Sequence, residues 1–272
     1  RAFVMSIHGV GSSVGDIVGP LLIGALLGIA SYQAIFKGAL LPALIIGGLL
    51  LIILSRMGAG QARGHSTLSD YFKAVRIAAA HRALLTSILA GGMRSGGQIT
   101  LMAFVPIYAR DSLGLGPELV GLLAALLLGM SLISQPLLGY YSDRIGRKTT
   151  ALPGLLILAI TTPLLSIATG PLLLLLLVGV IGLFMFSSGL LINALGLDIA
   201  PPELASSTTA AQFLTGLTLG TVAPLVAGVA GDAFGIEATF YVATLFFAIT
   251  FFMVLTLPKT EGRGRTARFA AS

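Results

Sequence analysis

A single arginine interrupts an otherwise uncharged stretch of the chain. Arg94 is the one charged residue between positions 83 and 109, and Gln98 follows it four positions later. On a helix this spacing places both side chains on one face. An arginine side chain binds a carboxylate or a phosphate at two points and keeps its charge. The pair is therefore a candidate substrate-binding site for an anionic or polar solute. The alternative is an arginine that pairs with an acid and locks two helices together.

A second polar pattern lies near the start of the chain. His8, Ser12 and Asp16 recur at steps of four residues, which aligns them on one helical face. A carboxyl group that is removed from water binds its proton more tightly, so it can exchange that proton near neutral pH. Asp16 is therefore a candidate proton-coupling residue. The alternative is that Asp16 forms a permanent ion pair, for example with Arg94.

Two further amide side chains are candidate substrate ligands. Gln212 shares a helical face with Thr208 and Thr215. Gln135 shares a face with Ser131 on another stretch. We predict that both glutamines line a substrate cavity. The hydroxyl groups beside them have an alternative role, because serine and threonine in apolar helices often bond to their own backbone.

The residue types that the chain lacks exclude several kinds of chemistry. There is no cysteine, so thiolate ligands, disulfides and a cysteine nucleophile are excluded. The three histidines, His8, His65 and His81, are too scattered in the sequence to form a metal cluster. No G-x-x-x-x-G-K-[ST] segment occurs, so ATP-driven chemistry within this chain is excluded. We expect no metal and no cofactor.

The composition indicates the environment in which these residues act. Apolar residues make up 56% of the chain, charged residues only 10%, and the mean hydropathy is +1.00. This composition is not that of a water-soluble globule. The chain has a net charge of +6, but it lacks the many charged residues that form the polar surface of a nucleic-acid-binding protein. The chain is therefore predicted to be an all-α polytopic membrane protein that does not bind nucleic acid.

Eight runs are apolar enough to form membrane-spanning helices. A hydrocarbon core of about 30 Å takes roughly 20 residues of helix. The predicted spans are residues 3–30, 35–55, 83–109, 115–139, two within 149–197, 204–230 and 238–257. Thr169-Gly170-Pro171 marks the turn that divides the uncharged run 149–197.

Lysine and arginine residues outside the spans or at their ends concentrate on one side of the membrane. With alternating loops, thirteen of them fall on one side and only Lys37 and Arg110 fall on the other. Positively charged loops remain in the cytoplasm. We therefore predict an inner or plasma membrane protein with both ends of this chain in the cytoplasm.

The last helical hairpin resembles the first. A shift of 204 residues aligns Pro20 with Pro224 and Gly24 with Gly228, with further matches along both hairpins. Spans one and two then recur as spans seven and eight. A period of six helices is typical of transporters built from two six-helix halves. On this interpretation four helices are missing before Arg1.

The segment between spans four and five carries the most specific motif. It reads Gly139-Tyr140-Tyr141-Ser142-Asp143-Arg144-Ile145-Gly146-Arg147-Lys148. This segment closely resembles the signature loop of the major facilitator superfamily, G-x-x-x-D-R-x-G-R-K, which joins the second and third helices of each six-helix half. The resemblance implies a gating role for Gly139, Asp143, Arg144, Gly146, Arg147 and Lys148. The alternative is a positively charged cytoplasmic loop without a gating role.

A segment in the first span is similar to a fifth-helix motif of the same superfamily. The motif G-x-x-x-G-P-x-x-G-G is common in proton-coupled drug exporters, and the spacing here slips at its end. The matching residues are Gly15, Gly19, Pro20 and Gly24, and the resemblance implies that they form a helix-packing motif. The chain would then contain helices five to twelve of a usual twelve.

The resemblance implies a division of the chain into four parts. Residues 1–56 are expected to hold the last two helices of an N-terminal six-helix half, and residues 57–82 a cytoplasmic linker with an amphipathic helix. Residues 83–258 are expected to form the C-terminal six-helix half, and residues 259–272 a basic cytoplasmic tail. The expected partners are a small-molecule substrate, the lipid bilayer and protons, and the expected oligomeric state is a monomer.

The function implied is secondary transport of a small solute by alternating access, coupled to protons or to another gradient. The imperfect fifth-helix motif favours export of drug-like compounds, and Arg94 favours an organic anion. One alternative is a truncated, non-transporting remnant of such a transporter. A membrane-embedded enzyme is disfavoured, because the few acids and histidines do not cluster as an acid–base pair.

The polar stripe leads to a prediction about coupling. We expect Asp16→Asn to abolish proton-driven accumulation of substrate while counterflow exchange continues, because an amide cannot carry the coupled proton. The measurement compares both activities in vesicles across a series of pH gradients. Accumulation that persists in the variant at every gradient would show that Asp16 is not the coupling residue.

Overall fold

The computed structural model describes residues 15, 17–56, 81–201 and 204–259, and these consist of helices and turns without a strand. The helices are α1 (Ile17–Leu27), α2 (Tyr32–Arg56), α3 (Arg82–Ile107), α4 (Pro117–Ile145), α5 (Arg147–Thr161), α6 (Pro171–Ile199), α7 (Ala205–Phe234) and α8 (Ala238–Thr256). A π-helical turn, Tyr108–Ser112, follows α3, and a 3-10 turn, Pro163–Ile167, follows α5. The predicted all-α fold is confirmed.

Six of the described helices are long and apolar enough to cross a membrane, against eight predicted spans. They are α2, α4, α5 with its 3-10 turn, α6, α7 and α8. Helix α3 has 26 residues, but Arg94, Gln98 and its glycines make it too polar for this group. The first predicted span, residues 3–30, lies largely outside the described residues, and α1 is a short apolar helix within it.

Proline and glycine set the helix boundaries in the second part of the chain. Pro117 and Pro171 occupy the first turns of α4 and α6, and each follows a glycine. Proline suits this position because its missing N–H would have no partner there in any case. The predicted turn at Thr169-Gly170-Pro171 is confirmed, because α6 begins at Pro171.

Helix α3 lies at the centre of the packed bundle. It packs against α4, α6, α7 and α8, and α5 packs against α4, α6 and α8. Phe240, Phe247 and Leu101 are among the large side chains that are fully buried between these helices. A helix with protein neighbours on several sides does not need an apolar surface all round. This position explains how a helix with a central arginine fits into the bundle.

Small residues on α3 allow its neighbours to approach closely. A Cβ atom at Gly92 would lie 2.5 Å from Cγ2 of Thr215 on α7. A Cβ atom at Gly96 would lie 2.7 Å from the ring of Phe246 on α8. Helices in membranes gain packing energy where glycine removes this obstruction. The glycines on either side of Arg94 therefore allow α7 and α8 to approach α3 closely.

Helix α1 crosses α4 at a pair of glycines. A Cβ atom at Gly24 would lie 2.8 Å from the Pro117 carbonyl oxygen, and one at Gly121 would lie 2.7 Å from the Pro20 carbonyl oxygen. Of the predicted packing motif, Pro20 and Gly24 therefore lie at this crossing. Added Cβ atoms at Gly15 and Gly19 would meet no described atom within 4 Å. No described side chain of α2 is buried.

The signature segment is almost entirely helical and does not form an extended loop. Helix α4 continues to Ile145 instead of ending at Gly139, and α5 begins at Arg147. Gly146 alone separates the two helices, with φ +100° and ψ 149°. This backbone conformation is essentially restricted to glycine. The charged residues Asp143 and Arg144 lie in the last turn of α4, and Arg147 and Lys148 lie in the first turn of α5.

Gly146 and Gly139 provide a matched test of this turn. We expect Gly146→Ala to lower the free energy of unfolding by roughly 1–3 kcal/mol, because alanine is strained at this φ. Gly139→Ala should be neutral or stabilising by up to about 1 kcal/mol, since Gly139 is helical and an added Cβ would meet nothing within 4 Å. Unfolding of the purified chain in detergent measures both. Equal effects of the two substitutions would contradict the assignment.

Candidate functional site

A cavity of about 250 Å³ lies between α3, α6 and α7. Its lining combines polar and apolar side chains, namely Arg94, Ser95, Ile99, Asn193, Leu197, Thr209, Gln212, Phe213 and Leu217, together with Gly91 and Gly216. One of these side chains is charged, four are polar but neutral, and four are large and apolar. Such a lining suits a small solute with one polar end and an apolar body.

Arg94 supplies the charge of this cavity. One terminal nitrogen, Nη1, donates a hydrogen bond to the Met185 carbonyl oxygen at 3.0 Å and another to the Gln98 side-chain oxygen. The Nε atom is buried and has no hydrogen-bond partner among the described residues. The guanidinium is therefore held at one nitrogen, while part of its donor set is unused by the described protein.

The space for the guanidinium comes from a glycine on α6. A Cβ atom at Gly189 would lie 2.6 Å from Cζ of Arg94 and 2.9 Å from its Nε. Any side chain at this position would force the guanidinium to move. Gly189 therefore sets the position of Arg94 against α6.

The charge of Arg94 is not neutralised by the described residues. The salt bridges among them all involve Arg147, and none involves Arg94. Asp16, the acid that sequence reasoning offered as a partner, lies outside the described residues, as do His8 and Ser12. Within the described part of the chain, the arginine is available to an anionic ligand.

Gln212 lies in the cavity, as its helical face predicts. It is 6% exposed, and its Nε2 donates a weak hydrogen bond to the Asn193 carbonyl oxygen at 3.5 Å. Asn193 itself also lines the cavity. Asn193 is the one amide in the uncharged run 149–197, and this isolation was a signal for its role.

The other two predicted glutamines lie elsewhere. Gln98 does not line the cavity and instead accepts the hydrogen bond from Arg94, so it orients the guanidinium. Gln135 is half-buried on α4 and is also not part of the lining. The hydroxyls of Ser131 and Thr215 donate to their own helices, at Leu128 and Ala211. For these two side chains the alternative of local backbone bonding holds.

The signature segment joins the ends of four helices. Arg147 forms a salt bridge of 2.7 Å with Asp143 at the end of α4 and a longer contact of 3.6 Å with Asp198 at the end of α6. Lys148 donates hydrogen bonds of 2.7 Å and 2.6 Å to the carbonyl oxygens of Leu255 and Leu257 at the end of α8. These carbonyls have no partner within the helix, so a lysine stabilises them.

Arg144 has a different environment from Arg147. Its guanidinium carbon lies 4.2 Å from the centre of the Tyr140 ring, a cation–π contact within α4. Of the remaining members, Gly146 forms the turn described above, and Gly139 lies within α4. No group of three or more histidine, aspartate or glutamate side chains among the described residues could hold a metal ion.

Gly189 allows a test of the arginine's position without removing the arginine. We expect Gly189→Ala to displace the guanidinium and to weaken binding of a carboxylate probe by roughly two- to tenfold. This factor corresponds to the free-energy cost of holding a side chain away from its preferred rotamer. Gly179→Ala on the same helix is the control, because an added Cβ there would meet nothing within 4 Å. Isothermal titration of both variants measures the effect. Identical affinities would show that the Arg94 position does not matter for the anion.

Comparison with known proteins places these features in a family. The family model described as Major Facilitator Superfamily matches residues 1–222 and 85–271, which together cover nearly the whole chain. A comparison with curated proteins finds no match. The match agrees with the signature segment, the membrane-capable helices and the all-α fold. The chain is an integral membrane protein of the Major Facilitator Superfamily, a family of transporters that bind small-molecule substrates within the membrane.

Proposed function

We propose that the chain belongs to a secondary transporter that moves a small organic anion with an apolar body by alternating access. The observation that carries this proposal is the position of Arg94 in the cavity between α3, α6 and α7. Its charge lacks a carboxylate partner among the described residues. A carboxylate on the substrate would complete the donor set of the guanidinium.

The remaining lining supports the same substrate class. Gln212, Asn193 and Thr209 offer neutral polar groups, while Ile99, Phe213 and Leu217 offer apolar surface. A solute with one carboxylate fits this combination better than a solute with charges at both ends. In this proposal Gln98 orients Arg94, and Gln135 on α4 belongs to a part of the substrate path outside this cavity.

The helix assignment is part of the proposal. We assign α1 and α2 to helices five and six of the family, and α3 to α8 to helices seven to twelve. The repeat of 204 residues and the signature segment between α4 and α5 support this assignment. The packing of α3 to α8 into one bundle supports the division into residues 1–56, a linker 57–82, a second half 83–258 and a tail 259–272.

The close glycine contacts support movement by rocking of helices. Gly24 and Gly121 bring the backbones of α1 and α4 together, and these helices belong to different halves in the assignment above. Contacts between backbones without intervening side chains permit sliding at small cost in packing. The Arg147 and Lys148 contacts hold the ends of α4, α5, α6 and α8 together, so that these helices move as one unit.

Proton coupling through Asp16 completes the proposal. Its support is the stripe of polar residues in the sequence, because Asp16 lies outside the described residues. The gating role of the signature segment, the cytoplasmic orientation of both ends and the monomeric state belong to the same proposal. Export of a drug-like compound is the second candidate, favoured by the apolar lining and by the segment from Gly15 to Gly24.

Removal of the charge tests the substrate class. We expect Arg94→Ala to reduce transport of a monocarboxylate probe by roughly 10- to 150-fold, the equivalent of one hydrogen bond to a charged group. Membrane abundance should not change. Arg82→Ala is the control, because Arg82 is an exposed cation on the same helix. Uptake of aromatic and aliphatic monocarboxylates into vesicles, with their neutral amides alongside, provides the measurement.

The neutral amides separate the two candidate functions. Transport of the acid but not of the amide, lost in Arg94→Ala and kept in Arg82→Ala, supports the anion. Equal transport of acid and amide, unchanged in Arg94→Ala, would overturn the anion proposal and favour a neutral drug-like substrate.

A further inference from the structure

A separate cavity of about 410 Å³ opens between α5 and α8. It is lined by Lys148, Thr149, Leu152, Pro153, Leu156, Phe251 and Lys259, and it shares no residue with the cavity around Arg94. Pro153 and Leu156 are exposed, so the cavity faces outward from the bundle. On a membrane protein, an outward-facing surface on these helices meets lipid.

One end of this cavity offers unused hydrogen-bond donors. Lys148 donates to the carbonyl oxygens of Leu255 and Leu257, which leaves one of its three N–H groups. Lys259 is exposed just after the end of α8, and Thr149 adds an exposed hydroxyl group. These three side chains can together surround one anionic group.

The start of α5 adds to the positive potential at this end. The first turn of α5 has no side-chain cap, and the first N–H groups of a helix have no partner within the helix. They carry partial positive charge, which favours an anion. Among the described residues, the charged groups at this end are Arg144, Arg147, Lys148, Lys259, Asp143 and Asp198, which sum to a charge of +2. Both carboxylates are already in contact with Arg147.

The other end of the cavity is apolar. Leu156 lies eight residues beyond Lys148 on α5, a distance of about 12 Å along the helix. Leu152 and Phe251 lie between these positions and complete the apolar part of the lining. Positive charge at the helix end and apolar surface deeper in the membrane match the polarity of one phospholipid molecule.

We propose that this cavity is a binding site for an anionic phospholipid. The headgroup phosphate contacts Lys148, Thr149 and Lys259, and the first part of an acyl chain lies on Leu152, Leu156 and Phe251. The lipid thereby bridges α5 and α8 at the point where Lys148 holds the end of α8. The site is independent of the transported substrate, and its test does not require transport.

Native mass spectrometry of the purified chain, titrated with phosphatidylglycerol and with phosphatidylcholine of the same acyl chains, tests this site. We expect tighter binding of the anionic lipid. Lys259→Ala should weaken that binding by about fivefold, because one lysine near a membrane surface contributes about 1 kcal/mol. Lys37→Ala on α2 removes another exposed cation and should have no effect. Lys259 lies beyond the end of α8, so its replacement does not disturb a helix.

Two further measurements separate a lipid from a small anion. Leu156→Trp fills the apolar end and should weaken binding of phosphatidylglycerol, whereas inorganic phosphate should not compete with the lipid. Equal binding of the two lipids, or unchanged binding by Lys259→Ala, would overturn the proposal. Full displacement of the lipid by inorganic phosphate would also overturn it, because the site would then hold only a small anion.

Discussion

The arrangement of the bundle depends on placing one guanidinium group near the middle of helix α3. A charged side chain at this depth costs roughly 2.5–3.5 kcal/mol on insertion scales when lipid surrounds it. Helix α3 avoids that surrounding because α4, α6, α7 and α8 pack against it. The glycines of α3 bring α7 and α8 close, and Gly189 on α6 leaves space for the guanidinium. Because α3 is polar at its middle, it is stable only at the centre of the bundle, where protein surrounds it.

The ends and the middle of the bundle use charge in different ways. At the signature segment, Arg147 is in contact with two carboxylates, and Lys148 is bonded to two carbonyl oxygens. These contacts hold helix ends in place, and the partial exposure of the groups lowers the cost of removing charge from water. In the middle, Arg94 is bonded to the neutral groups of Gln98 and Met185. A charge whose described partners are neutral retains attraction for an anion.

Cations occur beside apolar surface at two depths. The cavity around Arg94 and the cavity that contains Lys148 and Lys259 both combine positive charge with leucine and phenylalanine. The choice of cation follows the depth. Arginine keeps its charge when buried, whereas lysine serves at the interface, where its flexible stem places the ammonium group near water. We therefore propose an anion with an apolar body as the ligand of both cavities.

The sequence by itself determined the fold class, most helix positions, the turn before Pro171 and the family, because hydropathy and the spacing of the signature segment are local properties. It also indicated Arg94 and Gln212, since polar residues in apolar runs are conspicuous. Only the tertiary structure decided which polar side chains meet. Asn193 lines the cavity and Gln135 does not, because the rotation of each helix is set by packing against its neighbours. Likewise Asp198, 51 positions from Arg147, reaches it only when the ends of α5 and α6 come together.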